Sequence, residues 1–130
     1  MNIEGGEIMT IKECYQSFGG AYQDIFNRFR SEERIEKYIN KFLQDQSFQT
    51  LKLSLETGNI EDAFRSAHTL KGVSQNLGFN ILEESSHLIT EALRTEDIIK
   101  ATSLFFLQVS EDYNTVVASI KEYQGSTNRA

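Results

Sequence analysis

The absence of proline is the feature that most limits how this chain can fold. None of its 130 residues is Pro, and a proline inside a helix removes a backbone hydrogen bond and clashes with the preceding turn. The glycines are few, and all but Gly72 stand where a helix could end or where two helices could join. The sequence therefore favours long helices, and Gly72 needs a separate reason.

Capping residues and apolar spacing divide the chain into helical segments. Ser and Asn are favoured at helix starts because their side chains accept hydrogen bonds from free backbone N–H groups. The expected segments are residues 9–29, as one or two short helices with a break at Gly19-Gly20, then Ser31 to about 56, Asn59 to about 77 with Gly78 after its end, Asn80 to about 94, and a last helix that starts at Thr95. The last helix carries apolar residues spaced by threes and fours, as packing into a bundle requires. Because short connections make neighbours antiparallel, we predict an all-α fold: an antiparallel up-and-down four-helix bundle with an additional N-terminal helix.

Length, charge and cysteine content limit the domain count and the partners. One domain over residues 9–124 accounts for the length, with residues 1–8 as a disordered lead and 125–130 as a flexible C-terminal tail. The net charge of −6 argues against nucleic-acid binding, which needs a basic face. No apolar run approaches the roughly 20 residues that cross a bilayer. A single cysteine, Cys14, fits a reducing compartment. We therefore expect a cytoplasmic protein that binds neither nucleic acid nor membrane.

The third helix carries the residues with the clearest chemical potential. The residues of this helix that are expected to face the core are Ile60, Ala63, Phe64, Ala67, Leu70, Ser74 and Leu77. His68 lies on the flank of this core-facing stripe, and Lys71 and Gly72 follow it at i+3 and i+4, on the same side of the helix. A glycine inside a helix costs about 1 kcal/mol against alanine, but it admits a close approach to the backbone. Neutral imidazole is a nucleophile and a lysine can pair with phosphate oxygens, so the three residues suit a phosphoryl carrier.

The stretch AHTLKGVSQNLGF, residues 67–79, resembles the signature of histidine phosphotransfer (HPt) domains. That signature is an acceptor histidine, then x-L-K-G, a small residue and a closing L-G. The matching residues are His68, Leu70, Lys71, Gly72, Ser74, Leu77 and Gly78. The resemblance implies that His68 accepts a phosphoryl group on Nε2, that Lys71 contacts that group and that Gly72 gives it clearance. It also implies exchange of the group with the aspartate of a receiver domain in a two-component phosphorelay.

A narrower likeness concerns the next helix. The segments FRSAHTLKG and SSHLI are similar to the phosphotransfer domain of chemotaxis-type histidine kinases, where His87 matches a second histidine. Many family members carry a Gln or Glu on this helix that hydrogen-bonds the acceptor imidazole, and Thr90 stands at that position here. His87 and Thr90 are therefore candidates for orienting His68, with Glu91 or a water molecule as alternatives.

The resemblance implies a response-regulator receiver domain as partner, with a hybrid sensor histidine kinase as a second candidate. The chain has no Gly-rich nucleotide loop, so we expect a covalent carrier without its own ATP-binding or kinase domain, and not an enzyme. We expect no cofactor of its own, since the Mg²⁺ of the transfer belongs to the receiver. Two alternatives stay open: a protein-interaction bundle with an inert His68, and a metal site that combines His68 and His87 with Glu84 or Glu91.

Overall fold

The computed structural model describes residues 8–129 of the chain, and every regular element within that range is helical. The helices are α1 (Ile11–Ser17), α2 (Tyr22–Phe29), α3 (Glu32–Phe42), α4 (Ser47–Glu56), α5 (Ile60–Leu77), α6 (Asn80–Arg94), α7 (Ile98–Lys100) and α8 (Phe106–Arg129), with a π-helical turn, Ala101–Phe105, between the last two. The predicted all-α class is confirmed. None of the helices in this part of the chain is long and apolar enough to span a bilayer.

Four antiparallel segments form the bundle: α3 with α4, α5, α6, and α7 with α8. Helix α5 packs against both α4 and α6, and α6 packs against α8. Phe48 of α4 stacks on Tyr113 of α8 with ring centroids 4.1 Å apart, which closes the bundle. The amide of Gln124 also donates a 2.8 Å hydrogen bond to Asn40 of α3. The predicted four-helix bundle is therefore confirmed.

The N-terminal part forms two short helices that cover one end of the bundle. The hydroxyl of Tyr15 in α1 donates a 2.7 Å hydrogen bond to the carbonyl of Leu77, the last residue of α5. Gly78 follows with a φ of +72°, and a Cβ there would lie 2.5 Å from Cγ1 of Ile25 in α2. Both its conformation and its packing thus require glycine. The predicted end of the third helix at Gly78 is confirmed.

The helix predicted from Ser31 to about residue 56 is in fact two helices. Its start is confirmed, since the Ser31 hydroxyl accepts the backbone N–H of Arg34 at 3.2 Å. The break falls at residues 43–46, where the Asp45 carboxylate accepts the backbone N–H of Ser47 at 2.9 Å and so begins α4. A side chain that bonds nearby backbone groups in this way competes with helix continuation.

Two predicted helix starts are wrong by one or more residues. Asn80 is the first residue of α6 and not its cap, which is Phe79, a core residue without a capping side chain. Thr95 belongs to the end of α6, because its hydroxyl donates to carbonyls of that helix's last turn. The cap of α7 is Asp97, whose carboxylate accepts the backbone N–H of Lys100.

The structure describes most of the predicted C-terminal tail but little of the predicted N-terminal lead. The predicted lead, residues 1–8, lies outside the described residues except for Ile8. At the other end, α8 continues through residues 125–129, which differs from the predicted flexible tail. Ser126 is buried and its hydroxyl accepts the backbone N–H of Met9 at 2.9 Å, so this turn packs against the start of the chain.

Candidate functional site

Helix α5 holds His68 in its middle, with the imidazole exposed to solvent. Its first turn is fixed by Asn59, whose side-chain oxygen accepts the backbone N–H of Asp62 at 3.1 Å. Ala67 and Leu70 are fully buried on the other side of the helix and anchor it in the core. The acceptor candidate therefore projects from a helix that is fixed at both ends and along its inner face.

Lys71 and Gly72 lie on the same side of α5 as His68, one turn further along. Lys71 is half-buried, so its stem packs along the helix while its ammonium can reach outward. A Cβ built on Gly72 would meet no atom within 4 Å, and the backbone there does not have a positive φ. Within the described part of the chain, neither packing nor backbone conformation requires glycine at this position.

His87 and Lys71 line the same cleft between α5 and α6, and His68 is not among its lining residues. The other lining residues are Gln75, Asn80, Glu83 and Glu84. His87 itself is exposed. The structure thus places two of the predicted site residues, Lys71 and His87, in one cleft that also contains the carboxylates of Glu83 and Glu84.

Thr90 is not placed to orient the imidazole. It is fully buried, and its hydroxyl donates a 2.6 Å hydrogen bond to the carbonyl of Ser86 within α6. Glu91, the alternative, accepts a 3.2 Å contact from Nε of Arg94. Within the described part of the chain, no hydrogen bond joins the His68 imidazole to another side chain. The predicted hydrogen-bonding group on the next helix is therefore not supplied by Thr90.

An aromatic contact that sequence reasoning missed does reach His68. The Phe64 ring lies nearly parallel to the imidazole, with centroids 6.1 Å apart and 24° between the planes. The Arg94 guanidinium of α6 lies 4.9 Å from the centroid of the same Phe64 ring. The sequence placed Phe64 in the core stripe, yet it is only half-buried. The sequence could have indicated the contact between Phe64 and His68, because Phe64 precedes His68 by four residues on one helix. It could not indicate the contact with Arg94, which depends on how α5 and α6 pair.

The remaining candidates for chemistry are a thiol and a metal site. Cys14 is fully buried, and its thiol donates to the carbonyl of Ser119 at 3.5 Å. Burial raises the pKa of this thiol to about 12, and a protonated thiol is a poor nucleophile. No group of three or more His, Cys, Asp or Glu side chains is arranged to hold a metal ion among residues 8–129.

Comparison with known proteins gives one family. A family model described as the Hpt domain matches residues 37–118, well over half of the chain. The match begins within α3 and ends within α8, so it contains His68, Lys71 and Gly72. No curated protein and no solved structure matches the chain significantly.

Proposed function

Because this chain belongs to the Hpt domain family, we propose that it accepts a phosphoryl group on His68 and exchanges it with the aspartate of a receiver domain. Hpt domains serve histidine phosphotransfer in phosphorelays, as phosphoryl carriers without kinase activity. One observation carries the assignment to His68. This exposed imidazole stands one turn from Gly72, a glycine that costs helix stability and that the fold itself does not require.

The chemistry needs little from the protein beyond a positioned nucleophile. The lone pair on Nε2 of neutral His68 attacks the phosphorus of the receiver's aspartyl phosphate. The new N–P bond forms as the P–O bond to the aspartate breaks, and the aspartate leaves as a carboxylate. The proton on Nδ1 stays on the ring during the step, and the positive charge that the ring gains is removed when this proton is released to solvent. The reverse reaction returns the phosphoryl group to a carboxylate.

Gly72 and Lys71 serve the approach and the charge of the phosphoryl group. The missing side chain at Gly72 leaves open space next to the imidazole, into which the receiver's active-site edge can move. The phosphoryl group in transfer spreads negative charge over its equatorial oxygens. The Lys71 ammonium can pair with those oxygens, and its effect grows when a docked receiver excludes water from the site.

Partners and location follow from the same proposal. A response-regulator receiver domain is the direct partner, and a hybrid sensor histidine kinase that carries such a domain is a second candidate. We expect the Mg²⁺ of the transfer to be bound by the receiver domain. We place the protein in the cytoplasm, where its lone buried thiol remains reduced.

A transfer assay tests the proposed function. Receiver domains are phosphorylated with radiolabelled acetyl phosphate, freed from the donor and mixed with the full chain. We expect label to move from at least one receiver to this protein within minutes and to be stable in alkali but lost in acid, as a phosphoramidate is. A panel of receivers that all keep their label would instead support the alternative, an interaction bundle with an inert His68.

A further inference from the structure

We propose that Phe64 and Arg94 are positioning residues that hold the His68 imidazole from its ring face, in place of a hydrogen bond from the next helix. This inference rests on the proposed phosphotransfer function, because it concerns how the acceptor is presented. Its basis is the continuous contact from Arg94 to Phe64 to His68.

The need for such a device follows from what surrounds the imidazole. An exposed histidine can adopt several side-chain rotamers, and only those that aim Nε2 at the partner are productive. Among the described residues Thr90 makes no hydrogen bond to the imidazole, and its hydroxyl instead donates to the carbonyl of Ser86 at 2.6 Å. Thr90 is also fully buried, whereas His68 is exposed. Another contact must therefore restrict the imidazole.

The Phe64 ring provides that contact. It precedes His68 by four residues, so the two side chains meet on one face of α5. The centroid separation of 6.1 Å and the angle of 24° describe an offset stack, an arrangement that aromatic pairs prefer. Phe64 is half-buried and packs against the hydrophobic core, which limits the movement of its ring. Because the Phe64 ring is restrained, it limits the positions that the neighbouring imidazole can adopt.

Arg94 fixes the Phe64 ring from α6. Its guanidinium lies 4.9 Å from the ring centroid, within the range of a cation–π contact. The guanidinium is itself held by Glu91, whose carboxylate lies 3.2 Å from Nε. Arg94 stands in the last turn of α6, where a positive charge also interacts favourably with the helix dipole. Helix α6 thus still helps to orient His68, because its Arg94 contacts the Phe64 ring and that ring contacts the imidazole.

The experiment combines NMR of the free protein with transfer kinetics. The variants are Phe64→Leu, which removes the ring, Phe64→Tyr, which keeps it, and Arg94→Gln, which removes the cation. Arg34→Gln is the matched charge control for NMR, because Arg34 is also an exposed arginine but lies on α3. Arg94 is an exposed side chain, so its variant folds even where a change at Phe64 disturbs the packing.

We expect the His68 ring-proton signals to move in Phe64→Leu and Arg94→Gln, and to stay close to their wild-type positions in Phe64→Tyr and Arg34→Gln. Transfer from a phosphorylated receiver should slow by about threefold to tenfold in Phe64→Leu. It should slow by about threefold in Arg94→Gln and return to within about twofold of wild type in Phe64→Tyr.

Several results would overturn the inference. Unchanged His68 signals in both Phe64→Leu and Arg94→Gln would show that no stack restrains the imidazole. Shifted signals with wild-type transfer rates would show that the stack does not serve the reaction. A wild-type protein that accepts no label would contradict the proposed function itself, and the inference with it. That result is recognised separately, because it appears without any substitution.

Discussion

At the scale of single residues, two properties support the proposed site: Gly72 has no side chain, and Lys71 has a positive charge. A Cβ at Gly72 would meet no atom of residues 8–129 within 4 Å, so the position is open to a partner and to substitution. Lys71 stands half-buried beside the cleft that contains His87. Both residues can therefore be changed with little effect on folding, which makes their proposed roles separable from stability.

Replacing Gly72 with alanine should stabilise the fold and slow transfer. Alanine removes the conformational cost of a helical glycine, so the free energy of unfolding should rise by about 1 kcal/mol. Gly125→Ala is the matched control, because Gly125 also lies inside a helix with open space at its Cβ. It should gain similar stability in urea unfolding and keep the wild-type rate. If Gly72→Ala and the larger Gly72→Gln both transfer at the wild-type rate, clearance is not the role of Gly72.

Lys71→Ala should lower the transfer rate by about tenfold, which corresponds to roughly 1.4 kcal/mol. The reason is the loss of a cation beside phosphoryl oxygens in a site that the receiver shields from water. The melting temperature should barely change, as for other surface substitutions. A rapid-quench time course with melting curves measures both, and Lys121→Ala on α8 removes an equal charge from an exposed position. A large loss of stability with an unchanged rate would mean that Lys71 is structural.

At the scale of elements, α5 was the most predictable helix because its signals are local. The Asn59 cap and the Gly78 terminus each act within a turn of their own residue, and the structure confirms both. The i+3 and i+4 spacings that gather His68 with its neighbours are equally local. The apolar pattern is interrupted at residues 44–47, but no proline or glycine marks an end there. The break between α3 and α4 was missed because it depends on Asp45 bonding to Ser47.

Errors elsewhere arose where tertiary packing decides. Asn80 is a favourable cap by type, but the burial of Phe79 in the core sets where α6 begins. In the same way, the contact between Arg94 and Phe64 requires the pairing of two helices, which a single sequence does not specify. Sequence reasoning therefore found the candidate site residues of α5 but missed the contribution of Arg94 from α6.

The two asparagines provide a test of the corrected cap. Asn59→Ala should lower the free energy of unfolding by about 1 kcal/mol, because a backbone N–H at the start of α5 loses its acceptor. Asn80→Ala should change it by less than about 0.5 kcal/mol, since that side chain is exposed and caps nothing. Urea unfolding of both variants measures the difference. Equal losses would show that Asn80 caps α6 after all.

At the scale of the whole molecule, the N-terminal helices bury groups that must stay protonated. Burial raises the pKa of the Cys14 thiol from 9.0 to about 12, with the charge of Glu122 as a second cause. Burial also raises the pKa of the neighbouring Tyr15 hydroxyl above its ordinary value. As pH rises through this range, the unfolded chain releases protons that the folded protein keeps, so ionisation favours unfolding.

We therefore expect the contribution of the protonated Cys14 thiol to the free energy of unfolding to be fully present below about pH 9. This contribution should be lost progressively as pH rises toward about 12. Cys14→Ala should be less stable at neutral pH, because it leaves a small cavity, but its stability should fall less steeply above pH 9. Urea unfolding over this pH range measures both slopes. Identical slopes for the wild type and the variant would show that the thiol does not contribute to the alkaline loss.

The central claim is that His68 is the phosphoacceptor, and the chain allows a direct test because it contains only two histidines. His68→Gln and His87→Gln are the same substitution at two exposed positions on adjacent helices. Each variant is mixed with a phosphorylated receiver, and the acid-labile label on the protein is measured after circular dichroism has confirmed folding. The account predicts no label on His68→Gln and label on His87→Gln. Label retained by His68→Gln and lost from His87→Gln would contradict it and assign the phosphoryl group to His87.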